Sequence, residues 1–208
     1  MEEALKTPKL LFSFVLDNSV SLSDERLAAL MADFRAFASQ ALAYPALEWE
    51  LTVFDGFAPF VAKSFADSAV APIGSGRFPL LSRALDLAAA RLSAHMAELR
   101  EAGEKVYRPS LFLLTDGFCV DSLEETVARL EDMEARGELS YLPFRLSEAP
   151  LSEGLRDFDR IKHMIRILPD GREGFFRFLL QTVERRLALP TEESMKFAKS
   201  DFEGWAVL

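Results

Sequence analysis

Residues 10–21 read Leu-Leu-Phe-Ser-Phe-Val-Leu-Asp-Asn-Ser-Val-Ser, an apolar run that ends in an acid followed by two hydroxyl residues. A run this continuous is typical of a strand that is buried on both faces of a parallel sheet. We therefore expect Asp17, Ser19 and Ser21 to lie together at the carboxyl end of this strand. Open α/β sheets bind their ligands at that end.

A second buried strand is predicted at residues 109–115, immediately before Asp116 and Gly117. Strand-like and helix-like segments alternate along the chain, which is typical of a parallel sheet covered by helices. Residues 47–54 and 59–65 flank the turn dipeptide Asp55-Gly56 and predict a hairpin. The predicted fold class is α/β: a doubly wound, mostly parallel central sheet with one antiparallel edge strand and helices on both faces, similar to a Rossmann fold.

The remaining elements complete this alternation. Helical periodicity predicts helices at 23–43, from residue 81 onward and at 173–187, and further strands are predicted at 139–144 and 163–168. Ser122 and Glu125 have the spacing of a capping box for one more helix.

We expect a single domain over residues 1–187. Residues 188–208 are interpreted as a tail that docks through Phe197, Phe202 and Trp205, either on its own domain, which we favour, or on a partner.

Composition narrows the class of protein. The chain has 208 residues, half of them apolar, with 18 phenylalanines, enough to bury one large core. A net charge of −9 argues against a nucleic-acid partner, because phosphate backbones are bound by clustered Lys and Arg. The single cysteine, Cys119, excludes an internal disulfide and favours a reducing compartment. No apolar run is long enough to span a bilayer, so we expect a cytoplasmic protein without a membrane partner.

Two motifs resemble those of a known family. Residues 17–21 fit the Asp-x-Ser-x-Ser motif of von Willebrand factor A domains, and residues 115–117 fit their later Thr-Asp-Gly motif. The stretches around residues 108–117 and 174–180 look most like the bacterial tellurium-resistance-associated branch. The resemblance covers roughly residues 10–187, with both motifs in the family's order. It implies a von Willebrand factor A fold.

The resemblance also implies a metal-ion-dependent adhesion site. In that family, hydroxyl and carboxylate groups hold Mg²⁺ or Mn²⁺, and a carboxylate of the partner completes the coordination. Such hard cations prefer oxygen ligands. Carried over by position, Ser19 and Ser21 would bind the metal directly, and Asp17 and Asp116 would bind it directly or through water.

One position departs from the family pattern. The family's third ligand is a threonine before the second long helix, and Pro79 stands there in this chain. Ser75 or Ser82 would have to supply the missing oxygen. Alternatively, the guanidinium of Arg77 would neutralise the two acids without a metal.

We therefore interpret the chain as a non-enzymatic protein-interaction module that uses a divalent-metal or metal-degenerate site. The resemblance places it in a bacterial stress-response or defence system, with a protein partner associated with kinases or phosphatases. Two alternatives stay open. One is a metal-dependent hydrolase or phosphotransfer enzyme that uses Asp17, and the other is a structural subunit whose site is vestigial.

Overall fold

The computed structural model describes residues 7–18, 23–54, 59–67, 69–70, 80–189 and 197–208, with the backbone alone at position 157. The strands are β1 Leu10–Asp17, β2 Leu47–Phe54, β3 Phe60–Lys63, β4 Ser110–Thr115, β5 Ser140–Arg145, β6 Ile165–Ile167 and β7 Ala206–Val207. The α-helices are α1 Asp24–Ala41, α2 Leu81–Glu101, α3 Glu124–Ala135, α4 Glu153–Ile161 and α5 Arg172–Leu187. Within these described ranges, none of the helices is both long and apolar enough to cross a membrane.

The strands form one sheet in the order β3-β2-β1-β4-β5-β6-β7. Neighbouring strands from β2 through β6 are parallel, while β3 and β7 pair antiparallel at the two edges. The predicted fold class is confirmed, and β7 adds a second antiparallel edge strand. The strand order reverses between β1 and β4. The carboxyl ends of these two strands therefore flank the crevice where such sheets bind ligands.

Helices on both faces explain why β1 is apolar at all but two of its positions, Ser13 and Asp17. All eight residues of β1 are buried. Leu10, Phe12, Phe14 and Leu16 pack in the core beneath α1 and α5. Leu11 and Val15 belong to a second core cluster beneath α2, α3 and α4. By this alternation, Asp17 points to the α2 face of the sheet.

The structure corrects two local predictions on the α3–α4 side. α3 begins at Glu124 with Leu123 as its N-cap, and no side chain caps it, so the predicted Ser122–Glu125 capping box is wrong. Ser122 lies one residue outside the cap position and cannot reach the helix N–H groups as an N-cap would. α4 was not predicted from the sequence. It is only nine residues long, and its apolar positions are few.

Residues 197–208 pack on the same chain. Phe202 and Trp205 are buried in the core beneath α1 and α5, and β7 extends the sheet beyond β6. The backbone carbonyl of Trp205 accepts a hydrogen bond from Leu168 N at 2.9 Å. The indole N–H donates to the carbonyl of Asp201 at 2.8 Å.

The short edge strand β3 carries a buried lysine. Lys63 is only 3% exposed, and its ammonium donates to the carbonyls of Trp49 at 2.7 Å and Ser64 at 3.0 Å. The ammonium also lies 4.4 Å from the centre of the Trp49 ring. Burial lowers the pKa of Lys63 to about 8. An inward-pointing lysine of this kind also protects a sheet edge from pairing with other chains.

This lysine predicts a pH dependence of stability. Between the folded pKa of about 8 and the ordinary value of 10.5, the unfolded chain binds more protons than the folded one at Lys63. The free energy of unfolding should therefore rise as the pH rises through this window. Urea unfolding at about pH 7 and about pH 9.5 should show a clearly smaller rise in Lys63→Met than in the wild type. Equal rises in the two proteins would contradict the assignment.

Candidate functional site

Two buried carboxylates, Asp17 and Asp116, lie at the carboxyl ends of β1 and β4, and we call them the acid pair. Asp17 is 0% exposed and Asp116 is 6% exposed. Thr115 Oγ1 donates to Asp17 Oδ2 at 2.8 Å, and the backbone N–H of Asp116 donates to the same oxygen at 3.3 Å. The parallel register places Leu16 beside Leu114, so that Asp17 and Thr115 are neighbours on adjacent strands. The sequence motifs and the sheet register thus bring the two acids together.

The loop between β4 and α3, residues 116–123, carries Asp116, and we call it the acid-pair loop. Gly117 adopts a φ of +107°, a conformation that residues with a Cβ rarely adopt. Its N–H donates to Thr115 Oγ1 at 3.2 Å, and Asp116 Oδ1 accepts from Phe118 N at 3.2 Å. Each acid therefore has one oxygen held by hydrogen bonds from β4 or the loop after it. Such bonds fix the orientation of a carboxylate.

Asp121 ties this loop to the start of α2. Its Oδ1 accepts from Leu81 N at 3.1 Å, and its Oδ2 accepts from Ser82 N at 2.7 Å. The N-cap of α2 is Leu80, which offers no side-chain oxygen, so Asp121 supplies the cap from 40 residues away. A carboxylate is well suited to the N–H groups and the positive dipole end of a helix. Asp121 thereby fixes the acid-pair loop to the helix beside which the family's third ligand is expected.

A second clamp joins the same loop to the start of α4. Cys119 N donates to Ser152 Oγ at 3.1 Å, and Ser152 N donates to the carbonyl of Gly117 at 2.9 Å. Gly154 fits closely here, because a Cβ on it would lie 2.8 Å from the Asp121 carbonyl. Burial raises the pKa of the Cys119 thiol to about 11. The thiol is protonated at neutral pH and packs as a small apolar group.

The same edge of the sheet also carries a cavity of about 340 Å³ on the α1 and α5 side. It lies between the first turns of α1 and α5 and the segments that follow β5 and β6. Its lining combines apolar groups with two arginines and two glutamates, and includes Leu30, Ile167, Arg26, Arg172, Glu25 and Glu148. The carboxyl edge therefore presents polar and apolar surfaces near each other, as protein-binding surfaces do.

Three of the predicted site residues, Asp17, Asp116 and Ser82, lie within the described residues, and the others do not. The structure brings Asp17 and Asp116 together. Ser82 lies in the first turn of α2, where its backbone N–H bonds to Asp121. Ser19, Ser21, Ser75, Arg77 and Pro79 lie outside the described residues, and their roles stay predictions.

Sequence reasoning missed the roles of Thr115 and Asp121, and it missed Arg145 at the end of β5. Thr115 is the first residue of the Thr-Asp-Gly motif, and this position in the sequence could have identified its hydroxyl as a hydrogen-bond partner of Asp17. Arg145 follows the apolar end of a strand, a position that the sequence alone marks as the sheet edge. No signal in the sequence joins Asp121 to α2, because that contact depends on the tertiary structure.

The acid pair fits half of a divalent-cation site. Mg²⁺ and Mn²⁺ prefer oxygen ligands, and two carboxylates at adjacent strand ends supply them. Over the parts of the chain that the structure describes, no cluster of three or more His, Cys, Asp or Glu side chains could hold a metal. The remaining ligands would be the hydroxyls of Ser19 and Ser21. The described residues therefore fit the acidic part of the site that the motifs predict.

The comparison with solved structures identifies the fold. The crystal structure of the TFIIH p34 N-terminal domain matches with a TM-score of 0.56 and 13% sequence identity, over 84% of this chain and 97% of that one. The chain has a von Willebrand factor A-like fold. At this level of identity, the likeness concerns the fold alone. No protein-family model matches the sequence, and no curated protein matches it.

A von Willebrand factor A-like fold agrees with the position of the acid pair at the reversal of the strand order. Each of the two motifs that suggested the fold begins on the last residue of a central strand: Asp17 ends β1 and Thr115 ends β4. The narrower resemblance to the tellurium-resistance-associated branch rests on the sequence motifs and stays a prediction.

Proposed function

We propose that this protein is a non-enzymatic protein-interaction module whose partner binds at the carboxyl edge of the sheet, over a divalent cation held by the acid pair. The observation that carries the proposal is the convergence of Asp17 and Asp116, both buried, at the one place where the strand order reverses. Two neighbouring carboxylates bring negative charge to this edge of the sheet, and oxygen ligands of this kind suit a hard divalent cation. In this proposal the cation is Mg²⁺ or Mn²⁺.

In the proposed binding site, one group of residues orients the carboxylates, a second would bind the cation and a third positions the loop. Thr115 and the backbone of residues 116–118 orient the carboxylates of the acid pair through hydrogen bonds. Asp17, Asp116, Ser19 and Ser21 would hold the cation, and the cation would supply a Lewis-acidic position for a carboxylate of the partner. Asp121 and Ser152 hold the loop in place from α2 and α4. The module therefore needs no proton transfer and no covalent chemistry.

The hydrogen bonds of Asp17 also argue against an enzyme that uses it as a nucleophile. Asp17 Oδ2 accepts from Thr115 Oγ1 and from the backbone N–H of Asp116, and these donors weaken an oxygen as a nucleophile. A panel of phosphatase and nucleotide-hydrolysis assays with Mg²⁺ addresses this alternative. Turnover in the wild type that disappears in Asp17→Asn would favour the enzyme over the module.

The metal predicts a stabilisation that depends on Asp116. Metal at about 100 times its Kd should raise the free energy of unfolding by about 2.7 kcal/mol, or the melting temperature by roughly 5–10 °C. We expect this shift in the wild type on adding Mg²⁺ or Mn²⁺ to chelator-treated protein, and its loss in Asp116→Asn. Asp132→Asn is the matched control, since Asp132 lies on the exposed side of α3, where it pairs with Arg136. A shift of equal size in wild type and Asp116→Asn would contradict the site.

Arg77 provides the competing source of charge, and the same measurement distinguishes it. If its guanidinium neutralises the acid pair, Arg77→Ala should lower the melting temperature of the metal-free protein and the wild type should not respond to metal. If a metal has that role, the metal-dependent shift should persist in Arg77→Ala. The bacterial stress or defence setting and the association with kinases or phosphatases are part of the proposal on the strength of the family resemblance alone.

A further inference from the structure

Arg145 places a cation at the same edge of the sheet as the acid pair. It is the last residue of β5 and pairs in register with Thr115 on β4 and Arg166 on β6. Thr115 is also the residue that donates to Asp17. Arg145 is therefore one strand away from the acid pair and on its α4 side.

The guanidinium of Arg145 lies against the loop that carries Asp116. A Cβ placed on Gly117 would be 3.5 Å from Arg145 Nε and 3.1 Å from a methyl group of Leu151. Gly117 thus leaves room for the arginine to lie between the acid-pair loop and the segment before α4. Any larger residue at position 117 would meet both side chains and would also strain the backbone.

One donor of the Arg145 guanidinium lacks an acceptor, although the residue as a whole is partly exposed. Its Nε is buried and has no hydrogen-bond partner among the residues that the structure describes. Its neighbour Arg166 pairs with Glu148 at 2.8 Å. Across those same residues, Arg145 forms no comparable ion pair. Two arginines side by side repel each other, and only one of them is neutralised within the described chain.

A guanidinium with an unpaired N–H donor favours a carboxylate as its ligand. Because Arg145 is partly exposed, a ligand can approach its side chain, and an oxygen that accepts from Nε removes the cost of an N–H donor without an acceptor. The planar guanidinium matches the two oxygens of a carboxylate in a bidentate arrangement. The chain as a whole is strongly acidic, with a net charge of −9. A local cation at the rim therefore determines where an acidic side chain can approach this protein.

We propose that Arg145 is the carboxylate-binding residue of the interaction face and holds an Asp or Glu side chain of the protein partner. This inference rests on the proposed function, because it takes the carboxyl edge as the partner-binding face. It adds a contact that needs no metal. Arginine is among the residues that contribute most to protein interfaces, and Arg145 would provide such a contact beside the acid pair.

The test follows the side-chain Nε–H signals of the arginines in ¹⁵N-labelled full-length protein by NMR. The probe is a synthetic hexaglutamate peptide, added in metal-free buffer that contains a chelator. The signal absent from Arg145→Gln assigns Arg145. We expect this signal to respond at peptide concentrations about tenfold lower than the signals of Arg129 and Arg136, which already pair with carboxylates on the surface.

Variants complete the experiment. Peptide binding should be about tenfold weaker in Arg145→Gln, partly weakened in Arg145→Lys, which keeps the charge without the planar fork, and unchanged in the control Arg129→Gln. If Arg145→Gln does not fold, assignment through Arg145→Lys keeps the wild-type titration decisive. An Arg145 signal that responds like those of Arg129 and Arg136 overturns the proposal, and so does tighter binding of inorganic phosphate than of the peptide. Because no metal is present, failure of the cation site leaves this result unaffected.

Discussion

Replacing Trp205 by alanine should lower the free energy of unfolding by about 3–5 kcal/mol, the usual loss for a buried Trp. The ring is 8% exposed and lies within 5.3 Å of the Phe178 ring and 6.2 Å of the Phe144 ring, measured between centroids. Its loss would open a cavity beneath α5 and release the indole hydrogen bond to Asp201. Because Trp205 directly precedes β7 and its carbonyl accepts from Leu168 N, we also expect β7 to separate from β6.

Urea unfolding followed by circular dichroism measures the stability change in Trp205→Ala, and hydrogen exchange at Leu168, whose N–H donates to the Trp205 carbonyl, reports on the pairing of this segment with β6. Lys199→Ala is the control, since Lys199 lies in the same C-terminal segment but is exposed. A loss of less than about 1 kcal/mol in Trp205→Ala would mean that the segment does not belong to the folded core in solution.

Gly174→Ala is expected to be destabilising by about 1–3 kcal/mol, although alanine is the better helix former by up to about 1 kcal/mol. Gly174 lies in the first turn of α5, and a Cβ on it would be 2.3 Å from Trp205 Cβ and 2.5 Å from Trp205 Cγ. Either the indole or the helix would have to move. The close approach of α5 to Trp205 thus requires glycine at this position.

The control for this prediction is the same substitution in a variant that lacks the Trp205 side chain. In Trp205→Gly, which removes the side chain that a new methyl group would meet, Gly174→Ala should no longer be destabilising and should follow helix propensity instead. The measurement is a double-mutant cycle of unfolding free energies. An equal loss from Gly174→Ala in both backgrounds would contradict the packing of Trp205 on α5.

Most of the sheet could be predicted from local patterns. β1 and β4 are continuous apolar runs because each is covered by helices on both faces, and the Asp55-Gly56 dipeptide predicted the antiparallel pairing of β2 and β3. β7 was not predicted. It has only two residues, and its pairing depends on the indole of Trp205 packing beneath α5 rather than on any periodicity of its own.

The part of the site that lies at the ends of strands could be predicted from the sequence. Asp17 and Asp116 each follow an apolar run, so their convergence followed from the parallel pairing of their strands. The cap of α2 by Asp121 and the position of Arg145 beside Gly117 depend on how loops pack on one another. These contacts join residues from 28 to 40 positions apart, and no local pattern encodes them.

The central claim is that the acid pair holds a divalent cation at the carboxyl edge, and a calorimetric titration of the full chain with Mn²⁺ tests it most directly. We predict one site per chain in the wild type and in Asp132→Asn, and at least about a tenfold loss of affinity in Asp116→Asn. Absence of binding by the wild type at millimolar Mn²⁺, or equal affinity in the wild type and Asp116→Asn, would contradict the claim.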